Sequence, residues 1–371
     1  MNKTLKYIIL LAIACFVSKG YAQELKSEVF SILNLDYPGL EKVKDACNNG
    51  NMEDATRFLL DYYRMRKGVV NPAVDLKNIS VSKTDQQWAD DALKHTFFAH
   101  KGYLPAYNYG EDINWQYWPV KDNELRWQLH RHKWFTPMGK VYQITKDEKY
   151  AKEWIDQYLD WIKKNPLKQI SLDAYEIYDL EGVAGIAENV RFAWRPLETS
   201  HRLQDQINQF TLFVESPSFT PSFLTEFLVN YRRHADHILH NYSKEGNHLL
   251  FEAQRMLYAG AFFPEFKEAA TWRKSGIDIL NREIKKQIYD DGGQYELDLG
   301  YHVGCIEIFN KALLMADANG FRNEFPESYV ATIKKMIDFS MNLRFPDYSS
   351  PCFSDARQGS RQAEINNFKK W

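Results

Sequence analysis

Cysteine is scarce. The 371-residue sequence contains Cys15, Cys47, Cys305 and Cys352. Their wide spacing excludes a disulfide framework and the paired spacing of a zinc site. Positive charge is not in excess either: 47 Lys and Arg stand against 49 Asp and Glu, for a net charge of −2. Residues 1–22 hold three lysines and no acid, so the rest of the chain carries −5. That balance excludes general nucleic-acid binding. A polyanionic partner must be met by a local basic cleft, not by the field of the whole molecule. After residue 17 no apolar run is long enough to span a bilayer. Alternating strand patterns are also rare, which argues against a β-rich architecture.

What is present is apolar and aromatic. Hydrophobic residues make up 44% and charged residues 26%, values of a folded globular chain. Aromatics reach 15%, with 10 Trp and 22 Tyr. A core can absorb that many rings, and the same enrichment is common where rings stack on sugars. At the N-terminus, Lys3 and Lys6 precede the run "YIILLAIACFV" from Tyr7 to Val17, followed by "SKGYAQ". A basic start, a short apolar stretch and small residues near a cleavage point read as a secretory signal over 1–22. Cys15 follows "AIA", a poor lipidation box. The expected address is exported and periplasmic.

Helical periodicity recurs over most of the remaining chain. Residues 124–142 and 148–164 form one expected pair; Tyr150, Trp154, Tyr158 and Trp161 share a face of the second member, and Pro166 ends it. Residues 191–213 and 221–240 form another, broken by "ESPSFTPS". A third runs over 247–260 and 263–289, and a fourth over 301–319 and 327–343 with Gly320 as a stop. Short connections between such pairs predict a bundle or a toroid of stacked hairpins. In a ring of hairpins the first helices all run in one direction, so their N-termini collect at one mouth. "NELRWQLHRHKWF", "NVRFAWRPLETSHR", "EGNHLLFEAQ" and "DDGGQYELDLGYHVG" each open one of the four pairs. Helix N-termini present free N–H groups and partial positive charge, which suits anionic ligands.

Within these openings, Asn247 reads as an N-cap, since Leu249, Leu250, Ala253, Met256 and Leu257 follow at helical spacing. Its other reading is a neutral amide for a ligand carboxylate. His248 could contact a ligand or serve as a structural donor. Tyr301 reads as a ring packed on a Gly-rich turn, or as an acid–base group facing Asn247 across a shared cleft. Arg131 and Arg195 are candidates for binding acidic groups and Glu296 for a polar substrate contact; ion pairing within amphipathic helices is the alternative. Trp115, Trp118, Trp127, Trp134 and Trp194 could offer stacking platforms or belong to the core. The Asn–Tyr pairing fits β-elimination on a uronate. The proton removed is α to a carboxylate, the resulting charge needs a donor, and the leaving oxygen needs a proton. An amide can serve the first need, and a Tyr with a lowered pKa can transfer protons. No metal or cofactor is required.

With "NWQYWPV", "NELRWQLHRHKWF", "YEIYDLEGVAGIAENVRFAWRPLETSHR", "EGNHLLFEAQRML" and "GGQYELDLGYHVG" in this order, the sequence resembles the heparinase II/III-like polysaccharide lyases. The resemblance implies an all-α fold, an incomplete (α/α) toroid over 23–345, and a heparan sulfate-type polysaccharide as substrate. It also implies that Asn247, in "GNHLLFE", neutralises the uronate carboxylate. Tyr301, in "QYELDLGYH", becomes the catalytic acid and a possible base. Members of the family continue into a β-sandwich that supplies a further His. Residues 346–371 read as a loop-like tail, so the expectation is a truncated lyase or its helical domain, of reduced activity. A monomer is expected. Other readings stay open: a lyase for alginate or chondroitin, a hydrolase using Glu296 with Asp298 or Glu252, and a non-catalytic glycan-binding toroid.

Overall fold

In the computed structural model, the described residues are 25–97, 106–117, 119, 122–167, 192–354, 356, 362, 365, 366 and 369. The expected export segment, 1–22, and Trp118 lie outside them. An N-terminal group holds α1 (Val29–Ile32), α2 (Glu41–Asn48), α3 (Met52–Met65) and α4 (Lys83–Ala92). Strands β1 (Thr96–Phe97) and β2 (Tyr107–Asn108) then pair antiparallel. Next come α5 (Asn123–Leu129), α6 (Phe135–Thr145), α7 (Glu148–Lys164), α8 (Pro196–Phe213) and α9 (Pro221–His240). The series closes with α10 (Gly246–Phe262), α11 (Ala269–Gln287), α12 (Leu299–Ala318) and α13 (Glu327–Asn342).

Cross-contacts give the directions. Trp134 bonds Gln157 while His130 bonds Trp161, so α6 and α7 are antiparallel. Arg202 meets His234 while Phe210 meets Phe227, which makes α8 and α9 antiparallel. His302 bonds the Met336 carbonyl and Tyr329 that of Phe309, so α12 and α13 are too. The α10–α11 hairpin is the tightest of the four. A Cβ on Gly260 would sit 2.1 Å from the Ala269 carbonyl oxygen, and one on Gly276 2.3 Å from that of Ala253. Only glycine lets the two backbones approach this closely.

The first helices of the hairpins also pack on one another, as α6–α8, α8–α10 and α10–α12. They are parallel. The Tyr258 hydroxyl donates to the Lys311 carbonyl at 3.2 Å, each residue twelve positions past the first of its helix. The expected toroid is therefore present as an all-α, incomplete ring, with the starts of α8, α10 and α12 at one mouth.

Its walls are aromatic. Trp154 stacks on Phe213 at 4.4 Å and meets Phe223 edge-on at 5.2 Å. Trp115, Trp134 and Trp194 are each only 2% exposed, so these three are core and not stacking platforms. Truncating such a ring to Ala costs about 3–5 kcal/mol. Cys47, Cys305 and Cys352 are unpaired. Among the described residues no helix is long and apolar enough to cross a membrane.

The helix expected over 124–142 is in fact two, α5 and α6. His132 takes a left-handed φ of 50° between them. The cause is tertiary. The His130 carbonyl accepts from Arg202 at 3.0 Å and its ring from the Trp161 indole at 3.1 Å, while the Trp134 indole donates to Gln157 at 2.8 Å. These bonds replace the helical ladder at the break. α8 starts at Pro196, whose missing N–H costs nothing in a first turn. Phe263–Glu268 turn around Pro264, so α11 begins at Ala269 and not at 263.

Candidate active site

The approach to α10 is short and anchored. Asn241 donates to the His237 carbonyl at 2.7 Å, Tyr242 bonds Ser275 at 3.1 Å, and Glu245 pairs with Lys286 at 3.2 Å. Gly246 turns the chain with φ +75°, a conformation that L side chains rarely adopt. Because that turn starts the helix at Gly246, Asn247 lies inside the first turn. The N-cap position belongs to Glu245, whose side chain makes no capping bond. The N-cap reading of Asn247 is therefore corrected. Its half-buried amide is not used by the backbone and has no hydrogen-bond partner among the described residues.

His248 follows, half-buried, with its pKa pushed down to about 4. Burial is the main cause, followed by Arg195; Glu198 opposes the shift and Arg131 adds to it. The ring is neutral at physiological pH. These neighbours form one construction. Arg131, at the end of α5, donates through Nη2 to Glu198 Oε1 at 2.7 Å and through Nε at 3.2 Å. Arg195, at the N-cap of α8, brings Nε within 3.4 Å of Glu198 Oε2, and its guanidinium lies 4.0 Å over the Trp127 ring. Glu198 itself is fully buried. Three residues expected from the sequence, Arg131, Arg195 and His248, thus come together around a fourth that was missed. The available signal was Arg195-x-x-Glu198, an i,i+3 pair on a helix start, which alone reads as surface ion pairing.

Further down the same wall, Arg255 of α10 bonds Gln204 at 3.1 Å and His201 at 3.2 Å, both on α8. Burial pushes Asp205 up to about 6, against Arg255, Lys133 and Arg131. His201 and Asp205 are half-buried on α8. Cations collect here in a chain of negative net charge. Such a local concentration of positive charge is what a polyanion would need.

Tyr301 stands in the first turn of α12, 40% exposed, where the Asp298 cap accepts its backbone N–H at 2.9 Å. Since α10 and α12 are parallel, Asn247 and Tyr301 are each within three residues of a helix start on the same rim. The turn before α12 also reaches α10: the Tyr295 hydroxyl lies 3.9 Å from where a Cβ on Gly246 would be. Glu296 does not join the arginine cluster. It accepts from Gln294 at 3.1 Å and lines an apolar groove of about 550 Å³ with Leu297, Leu299, Phe339, Leu343 and Phe353. A carboxylate held by a neighbouring amide in an apolar groove is a poor contact for an acidic sugar, so its expected role is not supported. Among the described residues no three His, Cys, Asp or Glu group as metal ligands.

The family model described as Heparinase II/III N-terminus matches residues 29–371. The chain belongs to this family. A heparin-sulfate lyase of Bacteroides stercoris is 65% identical over 371 residues, covering 100% of this chain and 56% of that protein. The heparin-sulfate lyase of Pedobacter heparinus is 45% identical over 382 residues, covering 100% and 55%. Among solved structures, a heparinase III with methylated lysines shares 68% identity at a TM-score of 0.83, covering 95% of this chain and 54% of that one. Heparan sulfate lyase HepC from Pedobacter heparinus shares 46% at 0.77, covering 93% and 52%. The chain spans about half the length of the relatives it matches.

Proposed function

We propose that this chain binds a heparan sulfate-type polysaccharide at the α8–α10–α12 rim and cleaves it at uronic acids by β-elimination. The observation that carries the reading is the shared rim. It pairs an uncommitted amide, Asn247, with an exposed phenol, Tyr301, beside Arg131 and Arg195. In the reaction a base takes the C5 proton, and its electron pair becomes the C4–C5 double bond. The C4–O4 bond then breaks and O4 takes a proton. Asn247 donates to the carboxylate on C5, where charge builds up in the transition state. Tyr301 supplies the proton to O4 and, as phenolate, is the group able to remove one. Arg131 and Arg195 attract the acidic groups, with Glu198 holding both guanidiniums in place. With its pKa near 4, His248 is a weak base, better suited to hydrogen-bonding a sugar hydroxyl than to removing the C5 proton.

A hydrolase would need two carboxyl groups poised across the cleft. The acids named for that chemistry are engaged: Glu252 holds Ser243, Glu296 is bonded to Gln294 and Asp298 caps α12, while Glu198 lies between arginines. That favours elimination. The basic, apolar N-terminal segment further supports export to the periplasm as the working address.

The test is turnover of heparan sulfate, read as ultraviolet absorbance of the conjugated unsaturated product, with alginate and chondroitin in parallel. Tyr301→Phe should lower the rate by about 10²–10⁴-fold, the usual contribution of a positioned proton donor. An unchanged rate, or a saturated uronate at the new non-reducing end, would contradict the reading.

A further inference from the structure

Glu252 is a buried acid that the proposed chemistry does not use. It lies on α10, five residues after Asn247, with no exposed surface. One carboxylate oxygen accepts from the Ser243 backbone N–H at 2.7 Å, and the other from the Ser243 hydroxyl at 2.7 Å. The helix thus reaches back and grips the segment that leads into its own first turn. The location is costly. Burial, with Glu198 adding to it, pushes the Glu252 carboxyl up to about 7, while the two Ser243 bonds and Arg255 pull it down. An apolar side chain would fill a helix interior without that cost, so the carboxylate must be explained by what it holds.

What it holds is the middle of the approach to α10. Asn241 and Tyr242 are bonded before it and Glu245 after it, but these bonds reach α9 and α11. Ser243 ties the turn to α10, the helix that carries Asn247. Gly246, beside Asn247, has the backbone freedom that such a tie must restrain.

We infer that Glu252 is a positioning residue that, by gripping Ser243 at both donors, fixes the turn that aims the Asn247 amide into the mouth. The inference rests on the reading of Asn247 as the group that meets the uronate carboxylate. A grip on the turn alone would stabilise the fold; a grip that aims Asn247 must also act through it, and the two consequences can be separated.

Two measurements on the full chain do so. Hydrogen exchange over 242–248 reads the grip directly. Ser243→Ala and Glu252→Ala should speed exchange there by about tenfold or more, whereas Glu252→Gln, which can still bond Ser243, should largely restore protection. Heparan sulfate turnover reads the aim. The same two variants should lower kcat by about 10–100-fold with KM little changed, as for a reacting group displaced by about an ångström. Placed on Asn247→Ala, they should cause no further loss. Unchanged exchange in Ser243→Ala, or losses that multiply fully with that of Asn247→Ala, would overturn the positioning role. If Asn247→Ala alone left turnover intact, the reading of Asn247 would fail and the aiming role with it, while exchange would still report whether the grip exists. Should Glu252→Ala not fold, Ser243→Ala and Glu252→Gln carry both measurements.

Discussion

Two arginine sites lie on successive turns of α8, and they differ in almost everything but residue type. Arg195, at the start of α8, shares a buried carboxylate, Glu198, with Arg131. Arg202, seven residues along, is buried in the wall. It lies over Trp161 at 4.3 Å and Trp194 at 5.2 Å and donates to His234, the His130 carbonyl and Thr199, all neutral. Burial lowers its pKa to about 9. A cation without a bonded carboxylate is tolerated there because ring faces and fixed acceptors replace water. The pair at the start of α8 is buried as well but keeps its acid, which fixes both guanidiniums. One site is satisfied by ring faces and neutral acceptors, the other by a shared acid.

The largest expected effect breaks the wall. Arg202→Ala strips donors from His234 and the His130 carbonyl and leaves a cavity between two indoles, so urea unfolding should show a loss of about 3–5 kcal/mol. Sugar affinity in the surviving folded fraction should be unchanged. Glu198→Ala is next: two buried cations lose their shared partner, with a stability cost of about 3 kcal/mol and weaker heparan sulfate binding in the same variant. Arg195→Ala separates the sites most sharply. It should weaken binding about tenfold and cost less stability than Glu198→Ala, because Arg131 still pairs with Glu198.

The smallest effect is a matter of pH. Burial depresses His130, His132 and His234 well below their ordinary value, and Arg202 lowers each further. Their folded pKa values lie below those of the unfolded chain, so the unfolded state binds more protons below pH ~6.5. Their contribution is complete above that pH and falls away beneath it, by about 1.4 kcal/mol per pH unit for each net proton. His201, His237, His248 and His302 act in the same direction, outweighing the raised carboxyls of Glu252, Asp205, Asp156 and Asp236 and the raised His95. Melting curves between pH 7.5 and 6 should therefore show stability declining with acidification; a flat or rising profile would contradict this balance.

The same contrast explains what was legible in the sequence. The four hairpins were readable because their apolar positions repeat at helical spacing, and the gathering of first helices at one mouth follows from their order. The break between α5 and α6 was not, because its causes, Trp161 and Arg202, lie about 30 and 70 residues away from His130. Asn247 was readable as a polar residue at a helix mouth, but its exact place depended on the positive φ of Gly246, one residue earlier. Glu198 was hidden because an acid three residues after an arginine is ordinary on any helix. The tryptophans were ambiguous by type, and only burial assigned Trp115, Trp134 and Trp194 to the core.

The central claim is that Asn247 meets the uronate carboxylate at the rim shared with Tyr301. Its most direct test compares the affinity of this chain for a heparan sulfate oligosaccharide with that for the same oligosaccharide after carboxyl reduction. Wild type should prefer the intact form, and Asn247→Ala should lose most of that preference while retaining affinity for the reduced one. A variant that keeps the full wild-type preference would contradict the account.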